Sequence, residues 1–381
     1  MTMWRALLLS MVFGFVFAAA PSRAAEHWVY FGNRSTEPGQ GIAAARFDSK
    51  TGRLTPAGVV ADVNRPTWLL AHPTLPVIYA VSDPTGEAQS ESNVFAFSAD
   101  KATGKLSTLN NVASGGGGAT HLTFDTESKS IFVAHFRTGH VSWLPVADDG
   151  RLGDLYAKQS NYGTGPHRRQ TSPHAHGVVV DPSHRYVLAA DLGADRVFVY
   201  RFDTATHQLT SGTPPFVSLA PGSGPRHLAF HPSGRFVFLV TELSADLVSY
   251  RWDAESGALQ QVQIVPMDEP SFAGARNAAH IQASSDGRFV YASNRGANSM
   301  QVYAVDEQTG RLTEVQRISA TGKTPWDFSL DPTGRWLLVA NNASNSINVF
   351  SVDPASGKLT PGEAWLPINQ PSNVTFLPAA N

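Results

Sequence analysis

The side chains of this chain that can do chemistry are imidazole, guanidinium and carboxylate groups concentrated between residues 169 and 326. His174 and His176 lie two apart, so an extended strand sets both on one face. Such a pair can be satisfied by backbone groups, exchange protons or hold a metal, and no third ligand at a diagnostic spacing backs the metal option. Arg226 is followed at once by His227. Glu242 falls on a neighbouring strand, where it either neutralises Arg226 as a structural ion pair or shares a ligand with it. His280, Arg295 and Trp326 add an imidazole, a guanidinium and an aromatic face. Arg169 and Gln170 occupy a Gly-rich loop that either caps a site or reaches into it. Asp191, Asn294 and Asn341 are of the type that ends strands by bonding nearby backbone. The absence of cysteine excludes a thiolate zinc site, a cysteine nucleophile and a disulfide framework. The glycine run 115–118 lacks the Lys and Ser/Thr that follow in a phosphate-binding loop, and reads as a connection. With 29 basic against 31 acidic residues there is no positive field for nucleic acid.

Groups so far apart in the chain need a scaffold that gathers them. Among 381 residues, 32 Gly, 25 Pro and a charged fraction of only 16% favour many short strands joined by tight turns. The first residues are set aside. Arg5, the apolar run 7–20 and Ser22-Arg23-Ala24 read as a signal peptide over 1–24, which leaves one domain over 25–381 and implies export to the periplasm or beyond. The apolar run is shorter than the roughly 20 residues of a spanning helix, so no membrane association is expected after cleavage.

One unit recurs along the remaining chain: an apolar strand, a turn with Pro or Gly, and a second apolar strand closing on a polar residue. The clearest copies span 225–242 and 325–342. The ends of the second strands align at Asn33, Ser82, His135, Asp191, Thr241, Asn294 and Asn341, about 50 residues apart, within the range that marks propeller repeats. A second turn gives the same count, from DSKTGRL at 48–54 to DPASGKL at 353–359. Its Asp and Gly suit hairpins that need a positive φ. Units of this kind cannot bury both faces alone, and stacking them around an axis solves the problem. The expected fold is therefore all-β, a seven-bladed β-propeller. The lone first strand at 371–376 and the unpaired second strand at 28–33 predict a last blade closed by both termini, which an open solenoid would not need. In an antiparallel hairpin the start of one strand and the end of the next lie together, so the residues named above converge on one mouth of the ring.

The ordered succession of Gly163-Thr164-Gly165-Pro166, Arg169-Gln170, Pro173-His174-Ala175-His176, Asp191-Leu192-Gly193, Pro225-Arg226-His227, Glu242-Leu243 and Ser293-Asn294-Arg295-Gly296 resembles the seven-bladed β-propeller lactonases. That family includes the cycloisomerase-type 6-phosphogluconolactonases and the fungal carboxy-muconate lactonising enzyme. The resemblance implies hydrolysis, or the reverse closure, of a small sugar-acid or carboxylated lactone with no metal and no cofactor. It implies catalytic roles for His174 or His176, Arg226, Glu242 and Arg295. Arg169, Gln170, Asp191, His227, His280, Asn294 and Trp326 would surround the substrate. Opening a lactone needs a base, positive groups at the carbonyl oxygen and an acid for the departing alkoxide. Glu242 or a histidine suits the first task, Arg226 and Arg295 the second, and another histidine the third. The chain departs from the family pattern at His280, at Trp326 where an Arg is usual, at His135-Phe136 and at Thr241. Trp326 removes positive charge, which together with export argues against a phosphorylated substrate. The expected partner is a small lactone, bound by a monomer. Two other readings remain open: an exported propeller that binds a ligand or protein through the same mouth without turnover, and a periplasmic redox or metal propeller using the histidines.

Overall fold

The computed structural model describes residues 26–83 and 90–378; the expected leader over 1–24 lies outside the described residues. Among those residues the chain forms 28 strands in seven four-stranded antiparallel sheets, with one turn of 3-10 helix at Asn342–Ser344. Six sheets use four consecutive strands each, from Pro66–Ala71 at the start of the first to Leu359–Pro367 at the end of the sixth. The seventh joins Pro371–Phe376 to Glu26–Asn33, Ile42–Asp48 and Arg53–Ala61. Val29 pairs with Phe376 and Phe31 with Val374, so both ends of the domain close one blade, as the sequence predicts.

The strands differ because their surroundings differ. Second strands such as Phe236–Thr241 are buried along their whole length, sandwiched by neighbouring blades, and read as continuous apolar runs. Third strands such as Arg196–Asp203 turn polar toward the rim. Apolar clusters fill the spaces between adjacent blades, for example Phe132, Val141 and Phe198 between the second and third. The innermost strands contact one another in a closed cycle around the axis.

The repeated hairpin turn locks blades together. In DEQTGRL the Asp306 carboxylate accepts from the Gln308 and Thr309 amides, and Gly310 sits at φ 74°. A Cβ on Gly310 would fall 2.4 Å from the Phe236 ring of the preceding blade, so only glycine lets that ring lie on the turn.

Each innermost strand also carries a register shift just after its first paired residue, as at Pro225/His227, Ala175/Gly177 and Pro325/Asp327. A bulge of this kind re-aims side chains. Arg226 and His227, adjacent in sequence, therefore both reach the axis, with Arg226 Nη1 3.3 Å from the His227 ring nitrogens.

Candidate functional site

Two layers of side chains line the upper mouth. The first comes from the residues that follow the second strands: Arg34, Asp83, Phe136, Glu242 and Arg295. The second comes from the bulged positions of the innermost strands, including Thr67, Thr120, His176 and Trp326. Together with Arg65, Arg137 and Arg169 they enclose a cavity of about 400 Å³, within the size range of small-molecule sites.

Glu242 lies in the wall of this cavity. It is almost fully buried, and its Oε2 accepts from Arg226 Nε at 3.0 Å and Arg295 Nη2 at 2.7 Å, while Oε1 meets Arg169 Nη1 at 2.5 Å. Burial alone would raise this carboxyl; Arg295, Arg226, His176 and Arg169 outweigh it and hold the group well below the usual carboxylate range. His176 Nε2 stands 3.9 Å from Glu242 Oε2. Burial, reinforced by Arg226 and Arg295, pushes the His176 imidazole well below 6.5 despite the carboxylate, so the ring is neutral at neutral pH. Its Nδ1 is buried without a hydrogen-bond partner.

The opposite wall holds a second ion pair, Arg137 gripping Asp83 with both guanidinium nitrogens, one of them at 2.7 Å. Trp326 lies between two cations, with Arg295 4.4 Å and Arg34 4.5 Å from its ring centroid. Five arginines thus face two carboxylates across the cavity. Among the described residues neither Arg34 nor Arg65 forms an ion pair, and the Nε atoms of Arg65 and Arg295 are buried without partners. Burial, together with Arg65 and Arg295, lowers Arg34 to about 10, so it remains a cation. Uncompensated guanidinium groups around a cavity make it a receptor for an anion.

Comparison with known proteins agrees with this arrangement. A family profile described as lactonase, 7-bladed beta-propeller, matches residues 28–376. The chain belongs to the seven-bladed β-propeller lactonases. A 6-phosphogluconolactonase of Bacillus subtilis is 32% identical over 305 residues, covering 80% of this chain and 85% of its own length. The structure of a periplasmic gluconolactonase of Pseudomonas aeruginosa superposes with a TM-score of 0.87 at 32% identity, covering 93% of this chain and 99% of that one. A crystal structure of a protein from Lactobacillus plantarum gives 0.85 at 30% identity over 93% and 100%. The lactonase is accordingly a lactone hydrolase.

Of the residues marked from the sequence, Arg169, His176, Arg226, Glu242, Arg295 and Trp326 meet around the Glu242 carboxylate or the cavity that it faces. His227 and His280 lie one layer deeper, with their Nδ1 atoms 2.8 Å apart. Four others are not in the cavity lining. His174 precedes its strand and is held by its Nδ1 at 2.6 Å from the Phe136 carbonyl, its ring stacked on Phe136. It does not line the cavity that His176 enters. Gln170 is fully buried, donating to the Leu192 carbonyl and Asp195, and so fixes the loop that carries Arg169. Asp191 accepts from the His174 and Ala194 amides and from Asn161. Asn294 donates to Asp268 and accepts from the Ala297 amide. Both asparagine and aspartate end their strands, the plainer of the uses open to them.

The cavity is also lined by residues that sequence reasoning passed over: Arg34, Arg65, Asp83 and Arg137. Three of them were within reach of the repeat alignment. Arg34, Asp83, Glu242 and Arg295 each come one residue after an aligned strand end, and Arg137 two after. The expected shortage of positive charge is also corrected. Trp326 supplies no guanidinium, but Arg34, Arg65 and Arg137 bring charge from other blades.

Proposed function

We propose that this exported lactonase hydrolyses a small sugar-acid lactone that carries an anionic substituent, a carboxylate or a phosphate. The observation that carries the reading is the buried Glu242 clamped by Arg169, Arg226 and Arg295 beside a neutral imidazole, at the wall of an otherwise cationic cavity. Glu242, held as an anion, is a weak base. Its work is electrostatic: it orients two guanidinium groups and stabilises positive charge on His176. The neutral His176 takes the proton from water as the water oxygen bonds to the acyl carbon. Negative charge gathering on the carbonyl oxygen faces Arg295 and Arg169. The ring C–O bond then breaks, and the alkoxide receives the proton held by His176. Arg34 and Arg65, which have no ion-pair partner of their own among the described residues, receive the substituent. The leader-like segment 1–24 and the likeness to a periplasmic relative support a place outside the cytoplasm.

Proton release followed in a pH-stat with a panel of neutral, carboxylated and phosphorylated lactones tests the reading. Glu242→Gln and His176→Asn are expected to lower kcat/KM by about 10²–10³-fold. Binding of the lactones without turnover, or equal rates in wild type and both variants, would remove it.

A further inference from the structure

Below the catalytic layer the channel is closed by a septum made from the third residue of each innermost strand: Trp68, His121, Gly177, His227, His280, Asp327 and Asn373. Under it lies a second cavity of about 510 Å³, opening toward the other face of the ring and lined by His280, Asp327 and Asn373 among others. The septum is tightly packed. The ring centroids of Trp68 and His121 are 4.4 Å apart and those of His121 and His227 4.9 Å, and Gly177 leaves the room that His227 fills. A substrate does not pass this layer, but its imidazoles stand in a row beneath His176, and a hydrogen bond joins His227 to His280. His176 meets His227 edge-on at 5.1 Å between centroids, His227 Nδ1 is 2.8 Å from His280 Nδ1, and His280 Nε2 is 3.5 Å from Asp327 Oδ1. That Asp327 oxygen is buried with no hydrogen-bond partner, whereas Oδ2 is anchored by the Val374 amide and Asn373.

Hydrolysis of a lactone at neutral pH yields an ionised acid and therefore one free proton per turnover. The upper mouth is a poor exit for it, because its five arginines repel a hydronium ion and the product anion sits among them. We infer that His176, neutral again once it has protonated the alkoxide, takes the proton of the new carboxylic acid, and that His227, His280 and Asp327 form a relay that carries this proton through the septum to the lower cavity. The inference rests on the lactonase reading. Each imidazole accepts a proton on one nitrogen and gives up the proton of the other, so no net charge stays in the septum. Burial, then Arg226, keeps His227 and His280 neutral at rest, as conduction of this kind requires. Burial raises Asp327 to about 7, placing the final acceptor near the pH of its surroundings. The groups that face Asp327 are Arg226 on Pro225–Phe230, His280 on Ala278–Ala283, and Asn373 with the Val374 amide on Pro371–Phe376; Trp68 brings no charge.

The experiment measures kcat and KM for the most active lactone in dilute and in concentrated imidazole buffer, for wild type, Asp327→Asn and His280→Gln. In dilute buffer both variants are expected to lose about tenfold in kcat with KM unchanged, and concentrated imidazole is expected to restore it, while wild type is indifferent to buffer. Losses that imidazole does not relieve, or unchanged kcat in a folded variant, overturn the relay. Difference infrared spectroscopy of the resting protein adds a reading that needs no turnover. The Asp327 carboxyl must titrate near neutral pH and shift in His280→Gln; a carboxyl ionised throughout overturns the relay. Absence of turnover in wild type alongside the expected titration would instead point to failure of the lactonase reading.

Discussion

Three arginines on one carboxylate decide what Glu242 can do. Because Arg295, Arg226 and Arg169 keep it ionised far into acid, it offers little basicity, and the proposed mechanism gives proton abstraction to His176. A base whose conjugate acid is destabilised stays competent as pH falls, so the acid limb of kcat/KM is expected well below the ordinary imidazole value of 6.5. A pH–rate profile checks this, and a limb at 6.5 or above would show that another group is limiting. Asp327 works in the opposite direction. Its folded value of about 7 lies above the roughly 3.9 of an unfolded aspartate, so the fold favours the protonated form. The stability it contributes is fully present below the unfolded value and is lost as pH rises toward 7. Asp327→Asn removes that loss. Its melting temperature relative to wild type should climb between about pH 4 and pH 8, and a difference independent of pH in calorimetric scans would contradict the assignment.

At the scale of the strand, the decisive device is the bulge near the start of each innermost strand, which turns neighbouring residues such as Arg226 and His227 into the channel together. Gly177 completes the device in the third blade. A Cβ there would lie 2.5 Å from the Arg226 carbonyl oxygen and 3.2 Å from the His227 Cα, both backbone atoms. Gly177→Ala must push one innermost strand off the next, at a cost of about 1–3 kcal/mol, and should displace the Arg226–Glu242 contact. Denaturant titration and kcat/KM are expected to fall together; a variant with wild-type values would mean that the strands yield freely. The same bulge explains what was and was not legible in the sequence. Polar residues at strand ends and the Pro-Arg-His and Glu-Leu segments indicated the mouth where the charged cavity lies, because they interrupt apolar runs at a fixed repeat. Which side of the strand His174 faces was not legible, since strict alternation gives it the side of His176 and the irregular start of that strand breaks alternation. Arg34, Asp83 and Arg137 went unmarked because single charges just past a strand look like ordinary turn residues until the ring sets them opposite Glu242. Arg65 gave no signal of its own, as its role depends on a left-handed backbone at φ 48°.

For the whole molecule, the ring makes the site dependent on the two ends of the chain. Pro371–Phe376 is the innermost strand of the blade that carries Arg34, and it is tied to both neighbours. Asn373 bonds the Leu69 amide on one side and Asp327 on the other, and Ser372 donates to the Thr67 carbonyl. Val374 and Phe376 pack with Val29, Phe31 and Phe47 in the cluster between the sixth and seventh blades. Opening this closure bares two blade faces at once, so the damage cannot stay local. Val374→Asp places an unpaired charge at a position only 4% exposed, for a loss of about 3 kcal/mol or more and a melting temperature lower by several degrees. Removal of residues 371–381 takes away the strand itself and should abolish the single cooperative transition, with loss of lactone turnover, because Arg34, Trp326 and Glu242 no longer share a rigid ring. Scanning calorimetry reads the transition and the pH-stat reads the turnover. A truncated chain that melts and turns over as wild type would mean that six blades and an open seventh suffice, and the axial gathering of charge would need another cause.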